Sequence, residues 1–442
     1  MCEEGSDHMK RTLKQFTADW TAPYLRAFIL LALIPFFPEY VSFLLVIGAA
    51  FFAIKDMRLH GRSIRIGFIG KLLAIYCLYQ TLTCIISTHP LQTALVATLW
   101  WFMWGGFVIL SNLLTDSDRM DAFILCITTV AGIIGLIACA QYVIHLFVDS
   151  NVGSIWGWLD QYVFRIVPFQ ITLLPYGDRA YSTFANPNML AQYLVMAAPF
   201  VISFNFIERR NSLRLYSRIC LILTFAGVMF SFSRGGYIAI IVMAAALVLL
   251  NIRHQFAAVT LYVVAAFLVI PKDVINRILS VGMGDRRQIW AEAWSHFLER
   301  PLFGYGAGTE PSSAIFYGLG IEAPHAHNIL LQLLLEGGIF ALLILGLIVF
   351  KAVKNGIVLL RNGYNSSFWV GFAVIGFVAG VAIHGIVDYP LTTPKLIAFF
   401  LMTLAVIERS VDLFEYRGGS LRKFLIYRIQ KHKSSSGCAS ET

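Results

Sequence analysis

Pro324-His325-Ala326-His327-Asn328 opens an apolar stretch that continues Ile329-Leu-Leu-Gln332-Leu-Leu-Leu-Glu336-Gly337-Gly338. Strongly polar or ionisable side chains are costly in a membrane span, and by default they mark function. Asn328, Gln332 and Glu336 recur every fourth residue, which stacks them along one helix face. His327 stands at the start of that helix, where free backbone N–H groups favour a phosphate. Further charges flank other apolar segments. Arg234 lies in the turn Ser231-Phe-Ser233-Arg234-Gly235-Gly236, Arg286 and Arg287 follow Gly284-Asp285, and Asp388 closes His384-Gly-Ile-Val-Asp388-Tyr389-Pro390. Arginine contacts phosphate bidentately. Cations, a helix start and a histidine together suit a diphosphate ligand. Each residue also has a plain structural reading. Arg234 could snorkel, Arg286 and Arg287 could be solvated, His327 could cap its helix, and Asp388 could orient a partner or end its own helix. The pair His325-x-His327 could bind metal, but its candidate partners reduce to His296, Glu310 and Glu322. No metal and no cofactor is therefore expected.

The elements that position these residues are apolar. The chain has 442 residues, 58% hydrophobic and 13% charged, with mean hydropathy +0.72. Soluble domains carry about 25% charge. The expected fold is an all-α polytopic membrane protein. Spans of about 20 apolar residues fall near 24–37, 40–54, 66–87, 92–114, 120–147, 188–206, 213–231, 235–251, 255–270, 327–353, 366–388 and 393–408, about twelve in all. The first two are short and hinge at Pro35-Phe-Phe-Pro38. The spans form one transmembrane domain, 23–408. It is preceded by a cytoplasmic segment, 1–22, whose polar start resembles a cloning remnant, and followed by a basic cytoplasmic tail, 409–442. No cleavable signal pattern stands at the start, so the first span serves as the insertion signal.

With the N-terminus inside and the spans alternating, most Lys and Arg residues fall on the cytoplasmic side, as the positive-inside rule requires. Lys55, Arg58, Arg62, Arg65 and Lys71 form one such group, and Arg209, Arg210, Arg214 and Arg218 another. The net charge of +9 is thus matched to an anionic leaflet and not to nucleic acid. Cys77, Cys84, Cys126, Cys139 and Cys220 lie in apolar runs and read as small buried hydrophobes. Two outer loops are long, 148–187 and 271–326. The second contains an amphipathic helix with Trp290, Trp294 and Phe297 on one face, suited to the membrane surface. The run Gly304-Tyr-Gly306-Ala-Gly308 lacks the Lys-Ser/Thr of a nucleotide loop. Arg234, Arg286, Arg287, His327 and Asp388 all fall on the outer side, where ATP and nucleotide sugars are essentially absent. A phosphate donor used there must arrive on a membrane lipid.

These motifs resemble those of the O-antigen ligase and O-antigen polymerase superfamily of bacterial membrane glycosyltransferases. The family signature is a histidine followed by Asn, Ser or Gln, nine residues and a glycine, and His327-Asn328 and Gly338 match it. Ala341 departs from the small or polar residue that often follows. Arg234 after a hydrophobic-Ser stretch, Gly284-Asp285-Arg286, Arg300-Pro-Leu-Phe-Gly304-Tyr-Gly306 and Thr183-Phe-Ala-Asn186-Pro187-Asn188 extend the likeness over roughly 180–410.

The resemblance implies a GT-C-like fold in the bacterial cytoplasmic membrane, with both termini cytoplasmic and the site facing outward. It implies a glycan donor on undecaprenyl diphosphate and a glycan or lipid-linked acceptor. Arg234 and Arg286 would hold the diphosphate, Arg287 being the alternative to Arg286, and His327 would be the general base. Asn328, Gln332 and Asp388 would support it. The reaction would be metal-independent and inverting. Ligase and polymerase are not separable from these residues. The competing class is a secondary transporter of an anionic solute, which calls for internal repeats and broken helices at mid-membrane; no repeat is visible.

Overall fold

The computed structural model describes residues 22–147, 179–208, 210–249, 284–361 and 365–417. Within them regular structure is helical and no strand occurs. Apolar runs of this length admit little else, because a spanning backbone must satisfy its own hydrogen bonds. In chain order the helices are α1 (Pro23–Ala32), α2 (Glu39–Leu59), α3 (Phe68–Thr83), α4 (Pro90–Leu113), α5 (Ser117–Phe147), α6 (Pro187–Ile207) and α7 (Asn211–Phe230). There follow α8 (Arg234–Leu249), α9 (Gly284–Glu299), α10 (Thr309–Gly318), α11 (Ile329–Arg361), α12 (Asn365–Val387) and α13 (Pro394–Arg417). Seven of these, α2, α4, α5, α6, α7, α11 and α12, are long and apolar enough to cross a membrane. The segments Pro23–Phe36, Phe68–Thr83 and Arg234–Ala245 are apolar but shorter. The expected span 255–270, the loop over 148–178 and the tail from 418 lie outside the described residues.

α6 is the centre of the bundle, with nearly every side chain buried. It packs against α5, α7 and α12, and α12 packs in turn on α11. Close helix approach needs small residues at the crossing. Gly135 of α5 fills that role, since a Cβ there would run into the backbone at Leu223 of α7. The expected hinge near Pro35 is present as a 3-10 turn, Ile34–Phe36. α2 is longer than expected because its charged end does not stop it. Asp56, fully buried, receives Arg119 Nη1 at 2.8 Å and Nη2 at 3.2 Å, and Arg62 Nη2 at 2.8 Å. A charge run that reads as loop therefore folds as helix, because each buried charge is paired.

α11 differs most from expectation. Gly337 and Gly338 leave helical geometry, Gly338 with φ +60°, so the helix is two pieces end to end. The loop over 301–306 fills the break. Tyr305 N–H donates to Leu335 O at 2.7 Å, Gly306 N–H to Glu336 O at 3.0 Å, and Ile339 N–H to Pro301 O at 2.8 Å. Tyr79 Oη lies within hydrogen-bonding distance of Leu302 O and Gly337 O and has one hydrogen to donate between them. The piece over 339–361 is about 34 Å long at 1.5 Å per residue, enough alone for a hydrocarbon core of about 30 Å. The piece 329–336, apolar but for Gln332 and Glu336, is therefore not required for that length and sits at its end.

Gly338 is the signature glycine, and this geometry explains it. A Cβ there would strike the Leu302 carbonyl, and the positive φ disfavours any L side chain. Gly338→Ala is expected to cost about 2–4 kcal/mol, read as a lower thermal midpoint of the detergent-purified protein. Gly346→Ala, whose Cβ would meet open space in a helix interior, is the control and should be neutral or stabilise by up to about 1 kcal/mol. Equal midpoints for both variants would sink this account.

Candidate active site

The residues singled out above gather at one end of the bundle. Pro324–Asn328 leads into α11, and Asp388 follows the last residue of α12. Asn328 is the cap of α11: its Oδ1 accepts from Leu330 N at 2.9 Å and Leu331 N at 3.2 Å. This is ordinary N-cap chemistry, and it corrects the expectation of an open phosphate seat there. The N–H groups of Leu330 and Leu331 are thereby taken. Asn328 Nδ2 also donates to Ile386 O at 3.2 Å, tying the loop to the end of α12.

Asp388 is the hub. Its Oδ1 lies 3.0 Å from His325 Nε2 and 3.2 Å from His327 Nδ1, and it accepts from Tyr389 N at 2.9 Å. The two imidazole centroids are 4.2 Å apart. Burial pushes the Asp388 carboxyl up, but the hydrogen bonds and charges of the two histidines outweigh it and hold it well below the usual carboxylate range. A carboxylate only accepts, so His327 carries its proton on Nδ1 and, when neutral, presents a lone pair on Nε2. His325 is held the opposite way round, through Nε2. His327 is the more accessible of the two, its side chain 26% exposed against 11% for His325. Its backbone is left-handed, φ +47°, a costly conformation for a residue with a Cβ.

The arginines are placed by α8 and α9. Arg234 is the first residue of α8 and is half-buried. Its neighbour Ser233 has Oγ 3.3 Å from His384 Nε2, and Gly235 lies against His384 and Val387. The start of α8 thus abuts the last turn of α12, directly before Asp388. Arg286, half-buried, is close enough for its charge to act on His384. Arg287 is exposed. α9 is fixed to the histidine loop by Trp290 Nε1, which donates to Ala326 O at 3.1 Å.

The amphipathic face of α9 needs correction. Ile289 and Ala293 bury against Tyr305, Phe316, Ala323, Ala326 and Leu335, with Trp290 packed beside them, and Phe297 is buried as well. Trp294 is exposed. The protein supplies an apolar partner of its own, so most of that face covers protein and not lipid.

Asp388, one turn beyond His384, and Glu336, on the face with Asn328 and Gln332, are legible in the sequence. The partners of Glu336 are not, because Gln332 and Tyr389 meet it only in the folded chain. Ser233 joins the cluster only through its tertiary contact with His384. Arg179 holds the turn before Arg234, donating from Nε to Ser231 O and from Nη2 to Asn188 Oδ1, both at 2.9 Å. His296, Glu310 and Glu322 stand apart from the cluster. The third partner of the histidine pair is instead Asp388, and the three offer ligand atoms within 4.8 Å of one another. Two imidazoles and a carboxylate could hold a divalent ion. The same atoms also satisfy one another as an acid–base pair, with one nitrogen of His327 left over.

No curated protein matches the chain. The family model described as O-antigen ligase matches residues 219–346, the part that carries Arg234, Arg286 and the histidine loop. Apolar helices of spanning length make the chain a multi-pass membrane protein, and over residues 219–346 it is similar to the O-antigen ligase family.

Proposed function

We propose that the protein transfers a glycan from undecaprenyl diphosphate to an acceptor hydroxyl at the outer face of the bacterial cytoplasmic membrane. One observation carries the reading: His327 is oriented by a buried carboxylate through Nδ1, with Nε2 free, beside a helix end flanked by Arg234 and Arg286. The acceptor oxygen attacks the anomeric carbon and its proton passes to His327 Nε2. The bond from that carbon to the diphosphate oxygen breaks on the opposite face, so the centre inverts. Undecaprenyl diphosphate leaves with the electron pair, and Arg234 and Arg286 offset its charge, more strongly in a dry site than in water. Arg287, being exposed, is assigned no part. The reaction needs no metal: the acceptor proton has a base and the leaving group has cations.

A transporter would need its helix break to line a cavity. Here the break in α11 is filled by the backbone of 301–306, which favours the enzyme.

The test is purified protein in lipid with lipid-diphosphate oligosaccharide alone. Elongation without another acceptor means polymerase, and transfer only on adding a second acceptor means ligase. Arg234→Ala is expected to lower transfer about 100-fold or more, and chelation with EDTA to change nothing. Full activity of Arg234→Ala removes the diphosphate assignment. Loss on chelation, restored by one divalent ion, assigns the His325–His327–Asp388 trio to metal instead.

A further inference from the structure

Glu336 has no part in the chemistry above, yet it is almost wholly buried, 4% exposed. Its Oε1 accepts from Gln332 Nε2 at 2.8 Å and its Oε2 from Tyr389 Oη at 3.0 Å, and a backbone hydrogen bond from Gly308 joins them. Each side-chain partner leads to one half of the His327–Asp388 pair. Gln332 Oε1 accepts from the N–H of Ala326, the residue between the two histidines, at 2.8 Å. Its Nε2 also reaches Ser312 Oγ of α10 at 3.0 Å. Tyr389 gives its backbone N–H to Asp388 Oδ1 at 2.9 Å. Burial first, and then the Glu336 charge, raise the Tyr389 phenol well above its ordinary pKa, so it stays a protonated donor.

We propose that Glu336 is a positioning residue for the base. From below, it clamps the histidine loop through Gln332 and the Asp388 loop through Tyr389, and so fixes the distance between His327 Nδ1 and its carboxylate. The break at Gly337–Gly338 serves the same end. It frees the Leu335 and Glu336 carbonyls to bind the loop over 301–306, which packs the piece 329–336 of α11 against the bundle. A buried network of this kind is worth its cost only when every member is satisfied, and each side chain named here has its partners. Its stated purpose rests on the proposed role of His327, whereas the clamp itself does not.

Three variants test it: Glu336→Ala, Glu336→Gln and Tyr389→Phe, each read by kcat, KM for the donor, and amide hydrogen exchange over 324–328. Misplacing a catalytic group by about 1 Å costs about 100-fold in rate, so Glu336→Ala should lower kcat by about that factor with KM within about 2-fold. Tyr389→Phe loses one hydrogen bond and should lower kcat about 10-fold. Glu336→Gln keeps an acceptor for Gln332 and a partner for Tyr389, and should stay within about 5-fold of the parent. Exchange at Ala326 should speed up about 10-fold or more in Glu336→Ala. If that variant does not fold, Tyr389→Phe alone decides. Unchanged exchange in the folded variants, unchanged kcat, or losses that track only the folded fraction would each overturn the proposal. So would Glu336→Gln failing as badly as Glu336→Ala, since charge and not position would then matter. A fully active His327→Ala would instead overturn the proposed reaction, and the exchange result would still report on the clamp.

Discussion

His327→Ala should lower transfer by about 10²–10⁴-fold, with the donor KM little changed and the protein as stable as its parent. The small effect on KM follows from timing. The imidazole takes the acceptor proton as the new bond forms, so it acts on the transition state and not on the bound donor. The modest effect on stability follows from exposure: the side chain is 26% accessible and makes one hydrogen bond, to Asp388. Its left-handed backbone, φ +47°, disfavours alanine no less than histidine, so the substitution relieves no strain. His325→Ala is the informative companion. The two histidines share the same carboxylate oxygen, so pairing alone does not choose between them. Accessibility does, and His325→Ala should retain transfer within about 10-fold of the parent. The measurement is single-turnover transfer by purified variants in lipid. Reversed ranks would make His325 the base, and equal, small losses would mean that neither is.

Much of this site was readable in the residues. Types decided it: histidine after a loop, arginines at helix starts and an aspartate at a helix end have few roles beside apolar spans. Sequence spacing also located the glycine of the signature, although its reason was not visible. The positive φ is Gly338's own, but the Leu302 that crowds it lies 36 residues earlier in the chain (338 − 302), and no local pattern encodes that meeting. The break in α11 was hidden for a related reason. Periodicity continues through it, because the piece 329–336 buries Leu333 and Leu335 much as a longer helix would. α2 was cut short in the reading because Lys55, Asp56 and Arg58 look solvated, and only Arg62 and Arg119 make Asp56 a core residue. The apolar face of α9 was legible as a face, while its partner was not. Lipid and a small protein core are equally apolar, and a sequence does not distinguish what covers such a face. The same holds for Asn328: its polarity suggested chemistry, and its hydrogen bonds show a helix cap.

Asp388→Asn should reduce kcat about 10²–10⁴-fold while preserving the fold, a loss comparable to that of removing the base. Two effects combine. The carboxylate accepts from both imidazoles and from Tyr389 N through a single oxygen, Oδ1. An amide keeps one oxygen, so the three hydrogen bonds can persist, but the negative charge beside His327 is gone. The imidazolium formed on proton transfer then lacks its counter-ion in a buried site, where that loss is felt most. Were the amide turned over, its NH₂ would face His327 Nδ1, which would have to accept. Nε2 would then carry the proton and could take no other. Either orientation lowers kcat, and neither touches Arg234 or Arg286, so donor binding should persist with KM within about 3-fold. The fold is spared because Asn replaces Asp at equal size, and the Tyr389–Glu336 hydrogen bond does not depend on that charge. The comparison that decides is between Asp388→Asn and Asp388→Ala at matched folded fraction. If charge and tautomer are the contribution, the two lose similar activity while only the alanine variant loses stability. A fully active Asp388→Asn would show that the carboxylate orients nothing the reaction needs, and the base would then have to be sought away from this oxygen.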